Sequence, residues 1–194
     1  MRTAMIERKT AETQIRLTLT LEGGEARIDT GIGFLDHMLT LFARHGGFGL
    51  DLVCHGDIEV DDHHSAEDIG IALGQAFREA LGDKRGITRY GDMTLPMDEV
   101  LMLCAVDISG RSCLGFGVEM PQAKVGTFDT ELVKEFFLAF VRTAGVTLHF
   151  HEFSGENTHH VIEAMFKSFG RVMAQACRIQ PGREDQVPST KGLL

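Results

Sequence analysis

Apolar and polar residues alternate along 14–31, Gln-Ile-Arg-Leu-Thr-Leu-Thr-Leu and onward, with the period of a half-buried strand on each side of Gly23-Gly24. The stretch reads as a β-hairpin turning at the two glycines. At Phe34 the period changes. Phe34, Leu35, Met38, Leu41 and Phe42 share one helical face until Gly46 and Gly47 close it. A strand is predicted over 50–55 and a helix over about 65–81, where Ile69, Leu73, Ala76, Phe77 and Ala80 form the apolar face. The order then recurs: strands over 99–109 and 112–120, a helix over about 130–144, a strand over 146–152 and a helix over about 158–177.

This recurrence extends to individual residues. Placing 37–52 against 135–150 sets Phe42 on Phe140, Arg44 on Arg142, Gly47 on Gly145 and Leu50 on Leu148, with His37 opposite Glu135. After a slip of two residues, His63, His64 and Glu67 fall opposite His159, His160 and Glu163. An internal duplication is expected, with a first repeat over 1–90, a second over 91–180 and a tail over 181–194.

The chain has 194 residues, 43% of them apolar and 24% charged, which is enough apolar material for one sizeable core and excludes a disordered chain. A net charge of −9 argues against a nucleic-acid partner, since phosphate neutralisation requires a basic surface. No apolar run is long enough for a membrane span and the first residues carry no signal-peptide pattern, so a cytoplasmic protein is expected. Cys54, Cys104, Cys113 and Cys177 have no CxxC spacing and read as free thiols.

The chemistry concentrates in Asp61-Asp62-His63-His64-Ser65-Ala66-Glu67-Asp68 and in its counterpart, Glu156 to Ala164. Successive side chains on a helix diverge by about 100°, whereas residues three or four apart share a face. Glu67 can therefore join one of its two histidines at an ion, while the adjacent imidazoles point to different places. Two such motifs, with His37 and Glu135, supply eight candidate ligands: His37, His63, His64, Glu67, Glu135, His159, His160 and Glu163. They suffice for two ions of about four protein ligands each, and imidazole plus carboxylate without thiolate leans towards manganese over iron or zinc. His149 and His151 share a strand face but have no matching pair in the first half. Asp61 and Asp62 sit where helix-capping carboxylates belong.

Over nearly its whole length the chain resembles the imidazoleglycerol-phosphate dehydratase family of histidine biosynthesis. The matching motifs are Gly33-Phe34-Leu35-Asp36-His37-Met38, residues 61–68, Asp107 to Arg111, residues 156–171 and Pro188 to Gly192. The resemblance implies an α+β fold, ribosomal protein S5 domain 2-like, of two similar halves with helices packed between two sheets. It also implies two manganese ions per active site, at subunit contacts of a homo-oligomer that forms a 24-subunit particle. The ligands carried over are His37, His63, His64, Glu67, His159, His160 and Glu163. Glu135 stands where many members have histidine, and replacement of that ligand by carboxylate is expected.

The same resemblance places Arg89, Arg111, Lys167, Ser189 and Lys191 around the phosphate of imidazole glycerol phosphate, with the tail as a lid that orders over substrate. It makes Glu12 the residue that transfers a proton while a hydro-lyase reaction converts the substrate into imidazole acetol phosphate. Two other readings stay open on residues alone: a dinuclear metallohydrolase and a metal-binding protein without catalysis. Formation of the ketone product separates all three.

Overall fold

The computed structural model describes residues 1–194. The first half runs β1 (Thr3–Lys9), β2 (Thr13–Thr20), β3 (Gly23–Asp29), α1 (Gly33–Gly46), β4 (Phe48–Gly56) and α2 (His63–Leu81). The second half runs β5 (Tyr90–Met97), β6 (Val100–Asp107), β7 (Cys113–Gly117), then a small ribbon of β8 (Lys124–Val125) and β9 (Phe128–Asp129). It continues with α3 (Glu131–Ala144), β10 (Thr147–Ser154) and α4 (Thr158–Cys177). The two four-stranded sheets have the orders β1-β2-β4-β3 and β5-β6-β10-β7. In each, the strand that arrives last lies antiparallel to the second and parallel to the third.

This topology corrects the expected hairpin at Gly23-Gly24. β2 and β3 do not pair; β4 lies between them, with Leu17 opposite Leu52 on one side and Ile28 opposite Leu52 on the other. Leu50, Leu52 and Cys54 of β4 are buried, so this strand takes a central place and leaves the edges to β1 and β3. β3 and β4 are parallel neighbours and require a crossover, which α1 provides. The glycines have another use: a Cβ on Gly24 (φ +135°) would lie 2.8 Å from the Gly49 Cα, so their bareness lets β4 enter. The alternation also gave no warning of β1 and β5, both edge strands. β5 carries Pro96, which a sheet edge tolerates because a missing N–H faces outward there.

The helices fill the space between the sheets. α2 packs on β1 and β2, α4 on β5 and β6, and the two helix pairs α2–α3 and α1–α4 join the halves. At the centre, each helix contributes one phenylalanine to a closed ring of contacts. Phe42 lies 4.9 Å from Phe169, Phe169 4.9 Å from Phe140, Phe140 5.7 Å from Phe77, and Phe77 6.1 Å from Phe42. Such pairs contribute about 0.5–1.5 kcal/mol each beyond the area they bury.

Glycine sets how closely the paired helices approach. A Cβ on Gly74 of α2 would meet the Phe140 carbonyl of α3 at 2.6 Å, and one on Gly170 of α4 would collide with the Phe42 carbonyl of α1. Gly74 and Gly170 correspond under the repeat alignment, as do Phe140 and Phe42, so the same contact is made twice in opposite senses. Alanine at Gly74 would gain about 1 kcal/mol in helix propensity. That gain does not cover a contact with main-chain oxygen, and Gly74→Ala is expected to lower stability by about 1–3 kcal/mol overall, read from urea denaturation.

Candidate metal centre

Both histidine pairs open a helix, and each start is fixed by a side chain. Asn157 Oδ1 accepts from the His159 and His160 amides at 3.0 and 3.4 Å. Asp61 Oδ1 accepts from the His63 amide at 2.8 Å, whereas Asp62, at the N-cap position itself, makes no capping bond. The adjacent rings stand apart, His63 and His64 by 6.3 Å at 74° and His159 and His160 by 6.2 Å at 86°. Each pair therefore faces two places, as the helical spacing requires.

The α1–α4 contact assembles the tightest group. His37 Nε2 lies 2.8 Å and His159 Nε2 3.3 Å from Glu163 Oε1, and the ligand atoms of the three residues lie within 4.8 Å of one another. Burial pushes the Glu163 carboxyl up, but the Lys167 ammonium, 2.6 Å from Oε2, and the His37 hydrogen bond outweigh it and hold the carboxyl down at about 2. Lys167 also contacts the Met97 sulfur at 3.2 Å.

In the first half His63 Nε2 lies 3.8 Å from Glu67 Oε2, and the other oxygen of Glu67 accepts from Arg142 at 3.2 Å. Glu135, half-buried on α3, does not complete a three-ligand group with His63 and Glu67 within this chain. Both motif carboxylates are thus held by a cation, Lys167 in one case and Arg142 in the other.

The second histidine of each motif meets different acids. His64 Nδ1 lies 3.1 Å from Asp57 Oδ2, and its Nε2 lies 3.6 Å from Glu12 Oε1. His160 Nδ1 lies 3.0 Å from Glu99 Oε2 and 3.9 Å from Asp98, a second group of ligand atoms within 4.8 Å. The hydrogen bonds that His64 and His160 donate to Asp57 and Glu99 raise the pKa of the two rings. His160 in turn holds Glu99 at about 2. Asp57, Asp98 and Glu99 were not singled out in the sequence; Glu12 and Asp98-Glu99 both lie at the tip of a half's first hairpin, which the alternation did not reveal. An open cavity of about 640 Å³ lies over His159 and His160, edged by Glu99 and Lys124.

A separate cavity of about 460 Å³ is lined by Arg89, Arg183 and Ser189. Arg89 is bidentate on Asp107, at 2.7 and 3.2 Å, and its NH1 donates to the Pro188 carbonyl at 2.9 Å. Its backbone is left-handed, φ 74°, and is held by Arg89 N–H bonding to Ala176 O and Ile108 N–H bonding to Arg89 O. Arg111 NH2 approaches the same Asp107 carboxylate at 3.7 Å. The structure thus brings together Arg89, Arg111 and Ser189. Lys167 is engaged instead with Glu163, and the Lys191 side chain is exposed. The tail is docked: Gln186 O and Asp185 O accept from Gly86 N and Arg85 NH1 at 2.8 and 2.7 Å.

Two like α+β halves, with helix-borne imidazoles and carboxylates gathered at their contact, define a duplicated fold built around a candidate metal centre. The chain belongs to the imidazoleglycerol-phosphate dehydratase family, whose model matches residues 30–173. It is 60% identical to the imidazoleglycerol-phosphate dehydratase of Oceanobacillus iheyensis and 57% identical to that of Pelobacter propionicus; all of this chain is covered, with 100% and 99% of those proteins. The crystal structure of the Staphylococcus aureus enzyme superposes with a TM-score of 0.85 at 45% identity, covering 92% of this chain and 99% of that one. The Pyrococcus furiosus structure gives 0.84 at 38% identity over 97% of this chain and 100% of that one.

The depressed Glu163 carboxyl makes the metal-free chain sensitive to acid. A carboxyl whose folded pKa lies below its unfolded value contributes stability above the unfolded value and loses it as pH falls through the folded one. The contribution of Glu163 is therefore complete above about pH 4.5 and lost towards pH 2. Denaturant titration of chelator-treated protein at several pH values is expected to show this decline in the parent chain, and a shallower one in Glu163→Gln.

Proposed function

We propose that the chain converts imidazole glycerol phosphate into imidazole acetol phosphate, a dehydration in histidine biosynthesis, with two manganese ions held by the duplicated histidine–carboxylate motifs. The observation that carries the reading is the convergence of His37, His159 and Glu163, in a chain whose entire length corresponds to relatives bearing that enzyme's name. The donor set fits a divalent cation. Imidazole nitrogens and one ionised carboxylate meet at a point where the chain otherwise needs an ammonium, that of Lys167, to balance charge. His37, His159 and Glu163 would hold one ion; His63 and Glu67 would hold the other, with Glu135, the repeat counterpart of His37, as a further ligand although it stands apart from them within this chain. When bound, the metals supply an electrophile at the imidazole ring nitrogens of the substrate.

His64 and His160 face away from the carboxylates of their own motifs, and we assign them to ions shared with a neighbouring copy in a homo-oligomer, the 24-subunit particle. Asp57 and Glu99 would then fix which ring nitrogen each presents. Glu12 Oε1, beside His64, is the group we assign to removing the carbon-bound proton after the hydroxyl leaves. Arg89 and Arg111, already converging on Asp107, offer guanidinium donors to a phosphate dianion, with Ser189, Lys191 and Lys167 completing the set. Lys167 becomes available for this role once metal charge replaces it at Glu163. Residues 189–194 are the segment we assign to closing over the phosphate, with the docked residues 180–188 as their anchor. No helix of the chain is long and apolar enough to cross a membrane; the cytoplasm is the location we propose for the reaction.

The test is product formation. Manganese-loaded protein is expected to turn imidazole glycerol phosphate into the ketone, and elemental analysis to reach about two ions per chain. Saturation near one ion, or no ketone from fully loaded protein, would overturn the reading. Lys191→Ala is expected to lower kcat/KM by about 1.5–3 kcal/mol with metal content unchanged, the loss of one charge-assisted hydrogen bond.

A further inference from the structure

The tip between β1 and β2 carries Glu12, an exposed side chain on a backbone fixed at several points. Thr10 Oγ1 accepts from the amides of Glu12 and Thr13 at 3.1 and 2.9 Å, and Glu12 O accepts from Asp57 N at 3.1 Å. The next residue, Thr13, is 3% exposed and donates its hydroxyl to Asp68 Oδ2 at 2.5 Å. The other oxygen, Asp68 Oδ1, accepts from Arg8 NH2 at 2.8 Å. One carboxylate on α2, itself 8% exposed, is therefore bound by a group from each strand leading to and from Glu12.

Helix α2 also carries His64, one turn before Asp68. Asp68 thus ties the tip bearing Glu12 to the helix bearing the imidazole 3.6 Å from Glu12 Oε1. The duplicated half shows what helix–sheet packing alone requires. The residue corresponding to Asp68 is Ala164, fully buried, and the second hairpin reaches α4 through the tip itself, with Glu99 accepting from the Asn157 amide at 2.9 Å. A buried carboxylate is costly to desolvate, and apolar groups of similar volume commonly serve stability as well. The half that keeps the carboxylate is the half whose tip carries Glu12.

We propose that Asp68, with Thr13 and Arg8, is a positioning unit that holds Glu12 beside His64 for proton transfer. The inference rests on the assignment of Glu12 as the proton-transferring group. Misplacement of a reacting group by about 1 Å costs up to about a hundredfold in rate.

The test uses full-length, manganese-loaded protein and substrate deuterated at the carbon that loses its proton. Thr13→Val keeps the side-chain shape and removes the hydroxyl. It is expected to lower kcat about ten- to a hundredfold, with KM and bound metal unchanged and a larger deuterium isotope effect on kcat, while Thr13→Ser restores both. Asp68→Ala is expected to behave like Thr13→Val; if it fails to fold, Thr13→Val decides alone. A Thr13→Val enzyme with parental kcat, or one slowed without any change in isotope effect, overturns the positioning role while Glu12→Ala remains inactive. Parental turnover in Glu12→Ala would instead remove the proton-transfer assignment on which the inference stands.

Discussion

The distance between paired helices decides whether His37, His159 and Glu163 can meet, and glycines in the helix contacts set it. Gly170 lets α4 settle against the Phe42 carbonyl of α1, and only at that separation does His37 of α1 reach Glu163 of α4 at 2.8 Å. A side chain on Gly170 would push the helices apart by more than a hydrogen bond tolerates. The site is thus a product of backbone packing: its ligands lie on separate elements and meet because there is no Cβ between the helices.

The same geometry leaves a charge pattern with its own logic. Each motif carboxylate is matched by one basic side chain, Lys167 from the next turn of the same helix and Arg142 from a neighbouring helix. Without an ion, the Lys167 ammonium helps to keep the Glu163 carboxyl ionised despite its burial. The acids at Nδ1 of His64 and His160 have the opposite effect on the rings, favouring the charged imidazolium, which must lose its proton before it can ligate a metal. An ion bound through these rings would therefore displace a proton at each motif.

Much of the candidate site was legible in the sequence because its signals are local. The doubled His-His-x-x-Glu spacing can be counted, and the divergence of adjacent rings follows from helix geometry. The partners of those rings were not legible. Asp57 and Glu99 come from a loop after one strand and from a hairpin tip, and which tip meets which helix depends on the assembled sheet. The hairpin expected at Gly23-Gly24 failed for a related reason. Alternation reports that β2 and β3 are strands, but it carries no information that a third strand, formed later in the chain, takes the place between them. Asp68 shows a further limit: in the motif it reads as one more acid beside metal ligands, and only its contacts with Arg8 and Thr13 separate it from Glu67.

The ring of four phenylalanines shows how evenly the two halves share the core. Two of its contacts, Phe42 to Phe77 and Phe140 to Phe169, lie within a half, and the other two cross between halves. A polypeptide of half this length would leave two of these rings and a glycine groove bare on one face. That face fits a second copy of itself turned about a twofold axis, since Gly74 meets Phe140 just as Gly170 meets Phe42. The present chain therefore has the contact pattern of two like units packed face to face. The likeness ends at the candidate site, where the first half has Asp68, bound by Arg8 and Thr13, and the second has Ala164.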